Sequence, residues 1–295
     1  MRPQHRYTRS LLEAVPSLIP KKPTPEPGVL HLRTRRLTKV FESGSWFRRR
    51  PALKAVDAID LDVRKGETVG IVGESGSGKS TLARLLARLI EPSSGEIDVD
   101  ARAVTGLRGS AAHQFRRKVQ MVFQDPYRSL NPRRTVGAAI SEGPLNFGAT
   151  RTNAWQRAAQ LMDLVKLSPG SLHRYPHEFS GGQRQRICIA RALAVDPEIL
   201  IADEAVSALD VSIQAQILSL LDDVQQRLNL TLVFITHDLR VAAQICNRVV
   251  VLQSGRVVEH GALADVFQNP RHEYTRALLQ AAPGRGFAFG EAADH

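Results

Sequence analysis

Residues 67–80 read ETVGIVGESGSGKS, and this stretch decides the fold. Residues 67–72 are largely apolar and β-branched, which predicts a short buried strand running into the glycine-rich turn. Leucines at helical spacing follow the turn and predict a helix: Leu82, Leu85, Leu86 and Leu89. A strand, a glycine-rich turn and a helix in this order are typical of an α/β core with a mainly parallel sheet.

The turn has the complete pattern of a phosphate-binding loop, G-x-x-x-x-G-K-S. Its glycines let backbone N–H groups converge on phosphate oxygens at a helix N-terminus, where the helix dipole also favours anions. Lys79 would neutralise the β- and γ-phosphates of a nucleotide, and Ser80 would coordinate Mg²⁺. The predicted nucleotide-binding residues are Gly73, Glu74, Ser75, Gly76, Ser77, Gly78, Lys79, Ser80 and Thr81. A glycine-rich turn without a ligand is the alternative, which the position between a strand and a helix disfavours.

Two adjacent acids follow a second predicted strand. Residues 199–202 and 232–235 are apolar throughout, as expected for parallel strands covered on both faces, and the first of them ends at Asp203 and Glu204. Asp203 would hold the metal, directly or through water, and Glu204 is the candidate general base for the attacking water. A solvated turn is the alternative for such a pair. Together the two motifs indicate a nucleoside triphosphatase, a class that includes kinases, GTPases and helicases.

The bulk properties set limits on the class of protein. The chain has 295 residues, of which 43% are hydrophobic, enough for one large domain or two lobes. Its apolar runs are far shorter than the roughly 20 residues of a membrane helix, and the N-terminus lacks the pattern of a secretory signal, so we expect a cytosolic protein. The net charge is +11, but the basic residues are spread along the chain and form no recognisable nucleic-acid-binding motif. This favours a solvated basic surface over a nucleic-acid or membrane site. Cys188 and Cys246 are isolated in apolar stretches and are predicted to be buried.

The remaining patterns indicate how the chain is organised. Residues 19–28 read IPKKPTPEPG and predict a linker, so the compact domain should begin at residue 29. Helical spacing from Trp155 to Val165 predicts a helical lobe inserted at about residues 125–195. Residues 249–258 predict a hairpin with a turn at Ser254 and Gly255.

One element occurs twice, at opposite ends of the chain. Residues 5–16 read HRYTRSLLEAVP and residues 272–283 read HEYTRALLQAAP, with the polar residues matching as well as the leucines. Chance recurrence of an amphipathic helix would not require the polar matches, so the two segments are interpreted as copies of one element.

Further motifs narrow the class of nucleoside triphosphatase. Residues 180–183 read SGGQ, after Phe179 and before an apolar helical stretch, and they resemble the signature sequence of the ABC ATPase family. Gln124 is similar to the Q-loop of that family, residues 207–210 to its D-loop, and His237 to its switch histidine. All occur in the family's order, and the resemblance covers residues 29–261. It implies an α/β fold with a mainly parallel sheet, an antiparallel β subdomain and an inserted helical lobe.

The resemblance also implies roles for residues in a site that binds ATP and Mg²⁺. Gln124 would contact Mg²⁺ or its water and report the nucleotide state to a membrane partner, and His237 would contact the γ-phosphate and orient water with Glu204. Residues of a second subunit would act in trans on the nucleotide: Ser180, Gly181, Gly182, Gln183 and Asp210. An aromatic residue usually stacks on adenine, and Phe41 is the best-placed candidate, although a core role is equally open and Trp46 and Phe47 lie nearby.

Within the family the chain looks like the oligopeptide and dipeptide importer branch. Phe179 replaces a common leucine and Ala205-Val206 replaces a common Pro-Thr. Residues 174–183, 203–212 and 269–275 all resemble that branch, so the two replacements are interpreted as features of the branch. Residues 262–295, which contain the copy at residues 272–283, would be the branch's C-terminal extension, and residues 1–28 resemble the tail of a preceding ATPase domain.

The branch implies partners for the chain. They are a second ABC ATPase subunit, either a sister chain or a second copy, two transmembrane permease subunits, and a periplasmic or extracellular solute-binding protein. The chain would lie at the cytoplasmic face of the inner membrane as a peripheral protein, with no nucleic-acid partner. A soluble ABC ATPase acting on nucleic acid or in cofactor assembly is the alternative, and a scaffold without activity would require missing catalytic residues.

Overall fold

A six-stranded sheet forms the centre of the protein in a computed structural model, which describes residues 18–22, 28–42, 44–45, 48–49, 52–207 and 209–282. Its strands are β5 (Thr68–Val72), β8 (Val119–Val122), β9 (Ile199–Asp203), β10 (Thr231–Thr236), β11 (Arg248–Gln253) and β12 (Arg256–Ala262). Their order across the sheet is β12-β11-β5-β10-β9-β8, and all adjacent pairs are parallel except β11 with β12. The carboxyl ends of β5, β8, β9 and β10 therefore meet at one edge of the sheet.

A smaller antiparallel sheet packs on one face of the central sheet. Its strands are β1 (Leu30–Phe41), β4 (Leu53–Arg64), β6 (Ser94–Val99) and β7 (Arg102–Ala103), in the order β4-β1-β6-β7. The short pair β2 (Gly44–Ser45) and β3 (Arg48–Arg49) forms a separate ribbon. The helix α1 (Lys79–Leu86) and this sheet share one hydrophobic core with residues such as Ile199 and Ile201 of the central sheet.

The other face of the central sheet is covered by helices. Leu200 and Ala202 lie in this second core, so successive residues of β9 point into two different cores. This alternation explains why the strand is apolar throughout. The helices on this side are α7 (Val211–Leu228), α8 (Leu239–Ile245), α9 (Leu263–Gln268) and α10 (Glu273–Ala281).

Residues 126–193 form mostly helices between β8 and β9. After α2 (Gly109–Lys118) and β8 come α3 (Pro126–Ser129), α4 (Val136–Asn146), α5 (Arg151–Leu164) and α6 (Gly181–Leu193), with 3₁₀ turns at Pro169–His173 and Pro176–Glu178. Ala158 and Met162 of α5 are fully buried, as their helical spacing predicts. The α/β fold with an antiparallel subdomain and helices inserted into the core is confirmed.

The predicted end of the first helix was wrong. The leucine pattern predicts a helix that includes Leu89, but α1 ends at Leu86, and Leu89 is 50% exposed. Arg88 has a left-handed φ of 50°, a conformation that ends an α-helix.

The two cysteines are buried, as predicted. Burial raises the pKa of Cys188 to about 11 and also raises the pKa of Cys246. Among the helices of the described residues, none is both long and apolar enough to cross a membrane.

Candidate functional site

The predicted phosphate loop lies between β5 and α1, at the carboxyl edge of the central sheet. Gly78 has a φ of 103°, and a Cβ atom there would lie 2.3 Å from the carbonyl oxygen of Ala55, so only glycine fits. Lys79 is buried, and its Nζ donates hydrogen bonds of 2.7 Å to the carbonyl oxygens of Gly73 and Glu74. Burial lowers the pKa of Lys79, while the negative charges of the nearby acids act in the opposite direction.

Ser80 and Asp203 form the candidate metal site. The Ser80 hydroxyl donates a hydrogen bond of 3.0 Å to Oδ1 of Asp203, across 123 positions of sequence. Asp203 is buried at the end of β9, and this burial raises its pKa, opposed by the hydrogen bond from Ser80. A hydroxyl and a carboxylate oxygen are suitable ligands for Mg²⁺, so the donor set fits the metal that the sequence implies.

Three predicted catalytic side chains meet next to this pair. Glu204 follows β9, and its Oε2 accepts a hydrogen bond of 2.8 Å from Nε2 of Gln124, which follows β8. The other oxygen, Oε1, lies 3.3 Å from Nδ1 of His237, which follows β10. Adjacent parallel strands β8, β9 and β10 thus bring together residues that are 80 and 33 positions apart in sequence.

The backbone of Glu204 has an unusual conformation that directs its side chain. Its φ of 47° lies in the left-handed region, which a non-glycine residue occupies only when the surrounding structure requires it. The Glu204 amide donates a hydrogen bond of 3.0 Å to the carbonyl oxygen of Ile235 on β10, which stabilises this turn. The side chain is only 15% exposed, whereas the imidazole of His237 is 54% exposed.

The predicted signature residues lie on a different element. Ser180 caps α6: its Oγ accepts a hydrogen bond of 3.3 Å from the amide of Gln183, and Oε1 of Gln183 accepts one of 3.0 Å from the amide of Ser180. Gly182 packs so closely on α7 that a Cβ atom would lie 2.4 Å from a methyl carbon of Ile213. Ser180 is exposed, so the N-terminus of α6 is available to an external anion.

Asp210 and Phe41 also lie outside the catalytic group. Asp210 caps α7, and its Oδ1 accepts hydrogen bonds from the amide of Ile213 at 3.0 Å and the hydroxyl of Ser212 at 2.8 Å. The hydrogen bond from the Ile213 amide is the main reason that the pKa of Asp210 is lowered. Phe41 is 41% exposed at the end of β1, with the ammonium group of Lys39 5.3 Å from its ring centre, which fits a surface ring better than a core residue. Trp46 and Phe47 lie outside the described residues.

The structure therefore brings one part of the predicted site together and leaves the other predicted residues apart from it. Lys79, Ser80, Asp203, Glu204, Gln124 and His237 form one cluster at the carboxyl edge of the sheet. Within the described part of the chain, no hydrogen bond or ion pair joins this cluster to Ser180, Asp210 or Phe41. A contribution of Ser180 to nucleotide binding in trans stays a prediction.

Sequence reasoning did not assign Tyr274 to the site. Its hydroxyl accepts a hydrogen bond of 3.0 Å from the backbone amide of Glu74, the second residue of the phosphate loop. Tyr274 is part of the segment that occurs twice in the sequence, and that repetition was the signal that the segment has a specific role.

Comparisons with known proteins concern the family and the fold of the chain. Residues 56–207 match the sequence model of a family described as ABC transporter. The chain belongs to the ABC transporter family. A second family model, described as the C-terminal region of oligopeptide/dipeptide transporters, matches this ABC chain at residues 1–50 and again at residues 258–287.

Individual relatives carry related names. A putative peptide import ATP-binding protein of Brucella ovis is 49% identical over 254 residues, covering 85% of this chain and 78% of that protein. The glutathione import ATP-binding protein of Pectobacterium atrosepticum is 43% identical over 309 residues, and the match covers 95% of this chain but only 50% of that protein.

A solved structure has the same fold. It is a dimeric ATP-binding cassette in a post-hydrolysis state with ADP and Pi bound, with a TM-score of 0.70 and 30% identity, covering 79% of this chain and 98% of that chain. The prediction of an ATP-hydrolysing subunit of an ABC importer is thus confirmed at the level of the family. The matches do not favour the alternative of a nucleic-acid or cofactor-assembly ATPase.

Proposed function

We propose that this ABC cassette couples MgATP binding and hydrolysis to the uptake of peptides or a similar small solute. The observation that carries the proposal is the position of the Glu204 carboxylate, which contacts both Gln124 and His237. Glu204 also follows Asp203 directly in the sequence, next to the candidate metal site that Asp203 forms with Ser80. In this arrangement one molecule would supply the residues for phosphate binding, metal binding and water activation, and the signature helix would supply the remaining contacts.

Each residue of the cluster would have a distinct task. The amides of the phosphate loop and Lys79 would bind the β- and γ-phosphates, and Glu204 would accept a proton from the attacking water at a carboxylate oxygen. His237 would contact the γ-phosphate and orient that water. Ser80, Asp203 and Gln124 would hold Mg²⁺, which supplies positive charge against the phosphate oxygens when bound.

The working unit in this proposal is a dimer that encloses nucleotide between two chains. The exposed N-terminus of α6, with Ser180, Gly181, Gly182 and Gln183, would bind the γ-phosphate of ATP held by the opposite subunit. Because the chain contains both the catalytic cluster and this helix, it could supply both faces of the composite site. Asp210 would lie at the interface between the subunits.

The partners and the cargo are proposed from the relatives. Relatives named for peptide import and glutathione import support a peptide or a small peptide-like solute as cargo. Two permease subunits would carry the solute through the membrane and a solute-binding protein would deliver it, so selectivity for the cargo would lie in those partners. The chain would act as a peripheral protein at the cytoplasmic face of that membrane.

The two ends of the chain support a proposal about its neighbours. The same C-terminal region model matches residues 1–50 and 258–287, on either side of residues 56–207, which match the ABC transporter model. We propose that residues 1–28 correspond to the tail of a preceding ATPase domain and that residues 262–295 are this domain's own extension. Sequencing the region upstream of the codon for Met1 tests this: a sister ATPase ending in an HxYT segment is expected, and an unrelated neighbour would count against it.

Replacing the proposed base tests the catalytic assignment. In Glu204→Gln the amide cannot accept the proton, so we expect the turnover of MgATP to fall by about 10²-fold or more while ATP binding persists. Glu96 is an exposed glutamate on the antiparallel sheet, and Glu96→Gln is the matched control, with turnover expected to stay unchanged. Phosphate release by the purified chain measures both variants. Wild-type turnover in Glu204→Gln would exclude Glu204 as the base.

A further inference from the structure

Tyr274 of α10 connects the C-terminal extension to the phosphate loop. Its hydroxyl oxygen lies 3.0 Å from the backbone nitrogen of Glu74, although the two residues are 200 positions apart. The carbonyl oxygen of the same peptide unit belongs to Gly73 and accepts a hydrogen bond of 2.7 Å from Nζ of Lys79. Two side chains therefore hold this one peptide group of the loop. Tyr274 accepts from the peptide N–H, and Lys79 donates to the peptide C=O.

The position of Tyr274 is fixed by hydrogen bonds at the start of α10. Nδ1 of His272 accepts a hydrogen bond of 3.1 Å from the amide of Tyr274 and caps the helix. The carboxylate of Glu259, on β12, accepts hydrogen bonds from the amides of Arg271 at 2.8 Å and His272 at 3.1 Å. Because β12 pairs with β11, this anchor ties the start of α10 to the central sheet.

Buried residues farther along α10 pack this helix against the core. Leu279 is 2% exposed and Thr275 is equally buried, whereas Arg276 and Gln280 on the opposite side are exposed. The extension thus has one face packed on the protein, and Tyr274 projects from its first turn to the phosphate loop.

We infer that Tyr274 is a positioning residue for nucleotide binding, which acts by orienting the Gly73–Glu74 peptide of the phosphate loop. This role rests on the proposed ATPase function and deepens it. The orientation of that peptide fixes one of the carbonyl oxygens that contact Lys79, and Lys79 would bind the phosphates. In the copy at residues 272–283, two residues of the HxYT segment therefore have a physical role: His272 caps the helix, and Tyr274 contacts the phosphate loop.

Tyr274→Phe tests the inference because it keeps the aromatic ring and removes only the hydroxyl. A neutral hydrogen bond contributes about 0.5–1.5 kcal/mol, so we expect the Kd for a non-hydrolysable ATP analogue with Mg²⁺ to rise about 2- to 12-fold. The KM for ATP should rise by a similar factor, while kcat changes by less than about twofold, because Glu204 and His237 are not contacted by Tyr274. Gln280→Ala, on the exposed side of the same helix, is the matched control and should change neither constant.

Thermal unfolding of both variants separates positioning from packing. A Tyr274→Phe protein with a lower Tm and an unchanged Kd would show that the hydroxyl only anchors the extension, which would overturn the inference. An unchanged Kd with an unchanged Tm would overturn it as well. Failure of the unaltered chain to bind the nucleotide analogue would instead count against the proposed function.

Discussion

His31 is a buried histidine on the far side of the molecule from the catalytic cluster. Its side chain is 4% exposed, with Nδ1 2.6 Å from the hydroxyl oxygen of Thr231. Nε2 lies 3.4 Å from a carboxylate oxygen of Glu198 and 3.8 Å from one of Asp100. These contacts join β1 of the antiparallel sheet to the amino ends of β9 and β10. They make the histidine part of the junction between the two sheets.

The surrounding charges are balanced. Lys118 forms ion pairs of 3.0 Å with both carboxylates, and Lys65 forms one of 3.0 Å with Asp100. Burial lowers the pKa of His31 below its ordinary value of 6.5, and the attraction of Asp100 and Glu198 only partly opposes this effect. Relative to the unfolded chain, folding therefore favours the neutral form of His31.

The stability of the fold should depend on pH through this residue. A lowered pKa means that the unfolded chain binds the proton more readily, so His31 contributes full stability above about pH 6.5 and loses it as the pH falls through its folded pKa. We expect the free energy of unfolding to fall more steeply between pH 7 and 5 in the unaltered chain than in His31→Gln, by at most about 1.4 kcal/mol per pH unit. Urea unfolding at several pH values measures this difference. Parallel pH profiles for the two proteins would contradict it.

At the scale of elements, α4 and α5 approach each other closely where Gly137 faces the indole ring of Trp155. A Cβ atom on Gly137 would lie 2.4 Å from the indole ring of Trp155 and 3.0 Å from the carbonyl oxygen of Leu172. The indole ring therefore occupies the space that any larger residue on α4 would need. Close packing of this kind makes a small-to-large substitution unfavourable.

Gly137→Ala should destabilise these helices without touching the catalytic cluster. Overpacking of a core costs about 1–3 kcal/mol, which for a protein of this size lowers Tm by about 2–5 °C. Gly170→Ala is the control in the same region, because its Cβ atom would meet only the Ser168 hydroxyl at 3.5 Å. Thermal unfolding followed by circular dichroism compares the two. A loss for Gly137→Ala no larger than for Gly170→Ala would contradict the packing argument.

Strands and helices could be predicted from the sequence where a single physical cause, such as burial of both faces, explains the pattern of residues. Residues 199–202 and 232–235 are apolar because both faces of each strand are covered, and both segments are strands. Leu89 shows the limit: its spacing fits the helix, but Arg88 adopts a left-handed conformation that the leucine pattern does not encode. The contact of Tyr274 with Glu74 could not be predicted either, because the sequence does not show where α10 packs.

At the scale of the whole molecule, the sheet explains which site residues come together. Gln124, Glu204 and His237 follow three adjacent parallel strands, so the strand order alone brings them to one edge. Glu204 was predicted from an acidic pair that follows an apolar strand, whereas Gln124 and His237 were predicted from the resemblance to the ABC ATPase family. The position of Ser180 was not predictable, because its helix belongs to the segment inserted between β8 and β9 and depends on packing rather than on strand order.

The central proposal is that nucleotide is enclosed between the Lys79 loop of one copy of this chain and the Ser180 helix of a second copy. Light scattering of Glu204→Gln with saturating MgATP tests it most directly, since slow hydrolysis should preserve the enclosed state. We predict a mass of twice the 32.5 kDa of the chain, which returns to 32.5 kDa when Ser180→Arg is added to block the helix N-terminus. A mass of 32.5 kDa for Glu204→Gln in MgATP, or a dimer that persists with Ser180→Arg, would contradict the claim.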